Sequence, residues 1–195
     1  MNPAELTRTT KETDISVSLN LTGGATAENG VEINTGLGFF DHMLTALAVH
    51  SGMGLKLRCK GDLHVDGHHT VEDCGIVLGQ ALAQALGDKT GIARYGTAQV
   101  PMDEALAQAA VDVSGRPFLV FRAQFSQAKA GEFELCLCEE FFRALAMNAG
   151  ITLHLMLFYG SNGHHEAEAL FKAAAHALRR AVQPKTGVLS TKGTI

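Results

Sequence analysis

A chain of 195 residues with a formal net charge of −4 is long enough to bury its own core, and lies between one domain and two small ones. Apolar residues make up 46% and charged residues 18%, which excludes a disordered chain and a basic nucleic-acid binder, so no nucleic acid is expected as a partner. Met1 to Thr10 lacks the pattern of a leader and no apolar run reaches the length of a membrane span, so no membrane partner and a cytoplasmic location are expected.

Ile15, Val17, Leu19 and Leu21 alternate with polar residues and Gly23-Gly24 breaks the run, which predicts a strand and a first hairpin ending near Asn34. Phe39 to Val49 has helical spacing, with Asp41 near its start and Ser51-Gly52 as its stop, before the alternating Leu55, Leu57 and Cys59. Val71 to Leu86 reads as a second helix, opened by Gly67-His68-His69-Thr70 and closed by Gly87. Ala107 to Val113 and Phe118 to Phe125 flank Ser114-Gly115-Arg116-Pro117 and predict a hairpin. A helix over Glu134 to Met147, a strand over Ile151 to Tyr159 and a helix over His164 to Val182 follow, and the polar tail after Pro184 is expected to fray.

The second half repeats the first. At an offset of 98, Ala46, Leu47, Ala48 and Gly52 fall on Ala144, Leu145, Ala146 and Gly150. At an offset of 96, His68, His69 and Glu72 fall on His164, His165 and Glu168. Matches between Ala-rich helices arise easily, but a second His-His-x-x-Glu at the equivalent place does not. Two units are expected, 1–92 and 93–183, each carrying one motif, with a tail over 184–195 that contributes to a substrate site.

Nine histidines stand out in the composition. Residues i and i+4 share a helix face, whereas neighbours point about 100° apart. His68 with Glu72, and His164 with Glu168, can therefore grip one ion, while His69 and His165 serve a different one. His42 and Glu140, equivalent under the repeat, offer one further ligand in each half. Imidazole with carboxylate suits Mn2+, Fe2+ or Zn2+. Such sharing calls for a packed interface, between halves or between subunits. Cys59, Cys74, Cys136 and Cys138 have no C-x-x-C spacing and read as reduced, buried thiols. His64, His154 and His176 are expected to pack or to face water.

Phe40-Asp41-His42-Met43-Leu44, Gly61-Asp62-Leu63-His64, His68-His69-Thr70-Val71-Glu72-Asp73, Asp103-Glu104-Ala105, Ser114-Gly115-Arg116-Pro117, Gly150-Ile151-Thr152-Leu153-His154 and Ser190-Thr191-Lys192-Gly193 closely resemble the imidazoleglycerol-phosphate dehydratase family of histidine biosynthesis. Order and spacing agree over nearly the whole chain. The resemblance implies an α+β fold, internally duplicated, with four-stranded sheets and helices packed on one side, as two-layer sandwich repeats of the ribosomal-protein type. It implies two Mn2+ or other divalent metals per active site and a homo-oligomer of about 24 subunits with sites at subunit interfaces. One metal would take His42, His69, His164 and Glu168, and the other His68, Glu72, Glu140 and His165. Glu140 departs from the histidine frequent in the family, and Leu189 from a common proline.

The implied reaction removes water from D-erythro-imidazole-glycerol phosphate, the phosphorylated imidazole substrate, to leave imidazole acetol phosphate. It would pass through an imidazolate and a diazafulvene-type intermediate held by the two metals. Glu12, Glu168 and Asp103 are the carboxylates expected to move protons. Arg94, Arg116, Lys172, Ser190, Thr191 and Lys192 map onto positions that clasp the phosphate, and His50 and Glu12 onto positions beside the substrate. A dinuclear metallohydrolase would use similar ligands but carries Asp-rich motifs absent here. A metal-assembled storage shell would have no need of a phosphate clasp.

Overall fold

The structure, a computed structural model, describes residues 1–22, 30–187 and 190. The expected Gly23-Gly24 turn and the tail residues Leu189, Thr191 and Lys192 lie outside the described residues. Strands β1 (Ala4–Thr9) and β2 (Thr13–Asn20) are followed by β3 (Val31–Asn34), α1 (Gly38–Ser51), β4 (Gly54–Gly61) and α2 (His68–Leu86). The second half runs β5 (Tyr95–Met102), β6 (Ala105–Asp112), β7 (Phe118–Arg122), a short β8 (Lys129–Ala130) and β9 (Phe133–Glu134), then α3 (Leu137–Ala149), β10 (Thr152–Tyr159) and α4 (Gly163–Ala181).

The two four-stranded sheets have orders β1-β2-β4-β3 and β5-β6-β10-β7, the same order once each element is matched to its repeat. In each half the second and third strands flank the same central strand but pair with it in opposite senses. β3 runs parallel to β4 and β7 parallel to β10, while β2 and β6 pair antiparallel with those same central strands. A parallel neighbour requires a crossover, which α1 and α3 supply. The duplicated α+β architecture with helices on one face of each sheet is therefore present, but two expected hairpins are not. The strand predicted at Ile15–Leu21 pairs with β1 instead of β3, and β6 and β7 are separated by β10. The Ser114–Pro117 turn is a genuine bend, yet a bend alone does not say whether the next strand pairs alongside or one place over.

The hairpins that do form are β1–β2 and β5–β6. Their first strands are sheet edges, where Gly96 and Pro101 are tolerated in β5. A Cβ on Gly96 would run into the Ala177 carbonyl, so this glycine lets α4 lie close on the sheet. The inward residues of β6, Ala105, Ala107, Ala109 and Val111, are small and buried for the same reason. The predicted start of the third helix moves from Glu134 to Leu137, because Phe133 and Glu134 pair with Ala130 and Lys129.

Helices from opposite halves face each other, α2 on α3 and α1 on α4. The α2–α3 approach rests on Gly75 and Gly79, where a Cβ would come within 2.7 Å of the Phe141 and Leu145 carbonyls. Phe141 and Phe171 stack at 5.5 Å at the centre, with Phe142 4.6 Å from Phe171 and Phe40 5.4 Å from Phe141. The core thus spans both halves, and burial of these rings against each other holds the two helix layers together. Cys59, Cys74 and Cys138 are buried free thiols as expected, whereas Cys136 is exposed, on the turn that enters α3. No helix among the described residues is long and apolar enough to cross a membrane.

Candidate metal centre and phosphate-binding groups

Both His-His-x-x-Glu motifs open a helix, and each helix start is fixed by a side chain two residues upstream of the first histidine. Asp66 Oδ1 accepts the His68 N–H at 2.8 Å, and Asn162 Oδ1 accepts the His164 N–H at 3.0 Å. Asn162 is the N-cap of α4 and Asp66 precedes the N-cap Gly67 of α2, and each bond satisfies an otherwise orphaned helix donor and sets the phase in which the histidines emerge.

His42 on α1 meets His164 and Glu168 on α4, with ligand atoms all within 4.8 Å of one another. His164 Nε2 lies 3.2 Å and His42 Nε2 3.6 Å from Glu168 Oε2. The imidazoles are about half exposed, 46% and 49%, while the carboxylate is 8% exposed. The Phe39 ring contacts His164 edge-on at 5.1 Å and limits its rotation. Two imidazoles and a carboxylate open to solvent on one side suit Mn2+, Fe2+ or Zn2+. Burial pushes the Glu168 carboxyl up, but Lys172, bonded at 2.6 Å, together with His42 and His164, more than offsets it and leaves the group below its ordinary range. It is held as a carboxylate.

Among the described residues this is the one such group of three. His69 is not part of it. Of the other expected set, His68 and Glu72 face each other at 3.8 Å. Glu140 lies 3.6 Å from Arg143, which also binds Glu139 at 2.5 Å. His165 sits between Glu104 and Asp103, 2.8 Å from the first and 3.8 Å from the second. His69 has the matching environment, with Asp62 at 3.0 Å and Glu12 at 3.9 Å. The bond to Asp62 chiefly raises the His69 pKa, and the bond to Glu104 chiefly raises that of His165. In return the Glu104 carboxyl is pulled down to about 2, first by His165. Asp62 and Glu104 stand inside the sequence phrases quoted above, but nothing in their spacing pointed to the histidines they contact.

Arg94 is buried and has a left-handed backbone, with φ of 70°. Its guanidinium binds Asp112 through two nitrogens, at 2.7 and 3.2 Å, and lies over the Tyr95 ring at 4.8 Å. Arg116 approaches the same Asp112 at 3.7 Å. Sequence reasoning named both arginines but missed the aspartate that joins them, at the end of β6 and two residues ahead of Ser114. The start of the tail is pinned here and does not fray at Pro184. Ala93 N–H donates to the Gln183 carbonyl at 2.8 Å and Lys185 N–H to the Gly91 carbonyl at 2.9 Å. Ser190 is partly exposed.

Lys172 lies elsewhere, with Nζ 3.6 Å from Met102 Sδ at the far end of β5. Arg94 precedes β5 and Met102 ends it, so the intervening extended chain spans roughly 25 Å. One phosphate cannot touch Arg94 and Lys172 of the same chain. The His50 and His176 rings meet at 5.3 Å, tilted by 58°, and burial foremost lowers both pKa values. At the positions equivalent under the repeat, Gln80 donates to Asn148 at 3.3 Å. The repeat therefore kept the packing of this seam and exchanged its chemistry. His64 and His154 are exposed.

The family profile described as imidazoleglycerol-phosphate dehydratase matches residues 35–178. Curated relatives carrying that name include one from Cereibacter sphaeroides (strain ATCC 17025), 55% identical over 199 residues, and one from Streptococcus sanguinis, 56% identical over 198 residues, each alignment covering 100% of both chains. The crystal structure of imidazoleglycerol-phosphate dehydratase from Staphylococcus aureus superposes with a TM-score of 0.82 at 43% identity, covering 94% of this chain and 100% of that one. The Pyrococcus furiosus structure, in complex with (S)-C348, gives 0.84 at 39% identity, covering 97% and 100%. With a duplicated sheet order, an assembled His42–His164–Glu168 cluster and full-length similarity of this kind, the chain belongs to the imidazoleglycerol-phosphate dehydratase family of hydro-lyases.

Proposed function

We propose that the chain is a cytoplasmic, metal-dependent enzyme of L-histidine biosynthesis that removes water from imidazoleglycerol phosphate to give imidazole acetol phosphate. The observation that carries this reading is the convergence of His42, His164 and Glu168 within 4.8 Å, with Lys172 on the same carboxylate, in a chain of this family. These residues would hold one divalent cation, Mn2+ in the first instance, with His69 of another copy. His68, Glu72, Glu140 and His165 would hold a second. When bound, the two cations would draw charge from the ring nitrogens and make the ring anion accessible near neutral pH, an electron push that a carbon chain without a carbonyl otherwise lacks.

The protein's own groups then divide the work. Glu168, kept ionised, serves as ligand or base and not as a proton donor. Glu12 and Asp103 stand at the tips of equivalent hairpins, 3.9 Å from His69 and 3.8 Å from His165, and are placed to move the carbon-bound proton. Arg94, Arg116, Ser190 and Lys172, with Thr191 and Lys192, would bind the phosphate, and His50 would line the substrate. The distance between Arg94 and Lys172, and the incomplete ligand sets within one chain, support sites that draw on more than one copy, in a homo-oligomer for which the family resemblance implies about 24 subunits. Metal-stripped protein assayed for imidazole acetol phosphate with and without added Mn2+ tests the reading. Product that depends on metal is expected, and no product after metal is restored overturns it.

A further inference from the structure

The second histidine of each motif is gripped in the same way from a different place in the fold. His69 Nδ1 lies 3.0 Å from Asp62 Oδ2 and 3.2 Å from Oδ1, and Asp62 follows β4. His165 Nδ1 lies 2.8 Å from Glu104 Oε2, and Glu104 sits in the β5–β6 turn. Those two positions do not correspond under the repeat, whereas the histidines do. The arrangement was therefore reached twice and is not a by-product of duplication. Glu104 is itself anchored, since its other oxygen accepts the Ser161 N–H at 3.1 Å.

Among the described residues the opposite nitrogen makes no hydrogen bond. Nε2 of His69 is 3.9 Å from Glu12 and Nε2 of His165 is 3.8 Å from Asp103, beyond hydrogen-bond reach. A neutral imidazole carries one N–H and one lone pair, so an acceptor on Nδ1 dictates a lone pair on Nε2. We propose that Asp62 and Glu104 are positioning residues that accept the Nδ1–H of His69 and His165, fixing ring orientation and tautomer so that Nε2 is the nitrogen presented to a divalent cation. This rests on the metal-dependent reading above.

Mn2+ affinity, measured by the electron paramagnetic resonance signal of free Mn2+, tests it without recourse to turnover. Asp62→Ala and Glu104→Ala are expected to weaken binding about ten- to hundredfold, with metal-free Tm recorded alongside. Asp62→Asn and Glu104→Gln keep an acceptor oxygen and are expected to stay within about threefold of the parent. In a His165→Ala background, Glu104→Ala is expected to add no further loss. Alanine variants that bind like the parent overturn the proposal, as do amide variants that lose tenfold or more, which remain measurable if the alanine forms do not fold. A parent protein that binds no Mn2+ overturns the metal-dependent reading itself.

Discussion

Lys172 Nζ lies 2.6 Å from Oε1 of Glu168, leaving Oε2 to face His164 at 3.2 Å and His42 at 3.6 Å. One carboxylate is thus shared between a fixed cation and two imidazoles. Lys172→Met removes a charge-assisted bond of about 2 kcal/mol and the group that opposes burial of Glu168. Mn2+ affinity is expected to fall and KM to rise together, each about tenfold or more. Lys172→Arg should recover part of both, and steady-state kinetics with a metal titration would show whether they move as a pair.

Arg94 and Lys172 flank opposite ends of β5, so variants at these two positions are expected to complement each other. Arg94→Ala and Lys172→Met, each impaired alone, should regain activity when co-expressed. With random mixing, about a quarter of the sites would draw intact residues from both chains. Mixed oligomers no more active than either parent variant would show that the two residues do not serve one site.

Asp112 carries the charges of two arginines, one of them buried. Asp112→Ala takes the paired carboxylate away from the buried Arg94 guanidinium, and a loss of about 2 kcal/mol is expected in urea unfolding. Asp112→Asn keeps an acceptor and should lose less. An unchanged midpoint for the alanine variant would mean that the Asp112 pair adds nothing to stability.

The His50–His176 pair predicts an acid-side loss of stability. Burial foremost, then Lys172 for His50 and Arg179 for His176, holds both below the ordinary 6.5. As pH falls through about 6.5 the unfolded chain binds more protons than the folded one, so the contribution is full above that pH and lost below it. His50→Asn with His176→Gln writes in the amide pair that Gln80 and Asn148 already make at 3.3 Å. The gap in Tm between about pH 7.5 and about pH 5.5 should narrow in the double variant relative to the parent.

Glu140 invites a metal-preference experiment. Glu140→His gives the second ligand set a third imidazole and frees Arg143 from one of its two carboxylates. Zn2+ binding is expected to strengthen relative to Mn2+, since imidazole favours the softer ion. Competition between the two ions in a single titration reads this directly.

What the residues revealed in advance followed from periodicity and from a repeat. The helices at His42, His68, Leu145 and His164 carry 3.6-residue patterns, and the doubled His-His-x-x-Glu pointed to His164 and Glu168, which the fold joins to His42. The strands β1 and β5 escaped because they are edges: AELTRT is largely polar, and YGTAQVPM contains the glycine and proline that ordinarily argue against a strand. Pairing order also escaped, because Ser114–Pro117 reads the same whether β7 lies beside β6 or one place beyond it. Asp62, Glu104 and Asp112 were illegible as partners for a different reason. A lone carboxylate near a turn is ordinarily solvated, and only the fold brings each within 3.0 Å of its imidazole or guanidinium.

Asp66 and Asn162, the side chains that start α2 and α4, have a consequence for how the family can vary. Each sits two residues before a histidine pair and fixes where the helix begins. Inserting or deleting one residue between cap and motif would turn the imidazoles by about 100° relative to the helix start. The approach to each motif should therefore be intolerant of length change even where its sequence drifts.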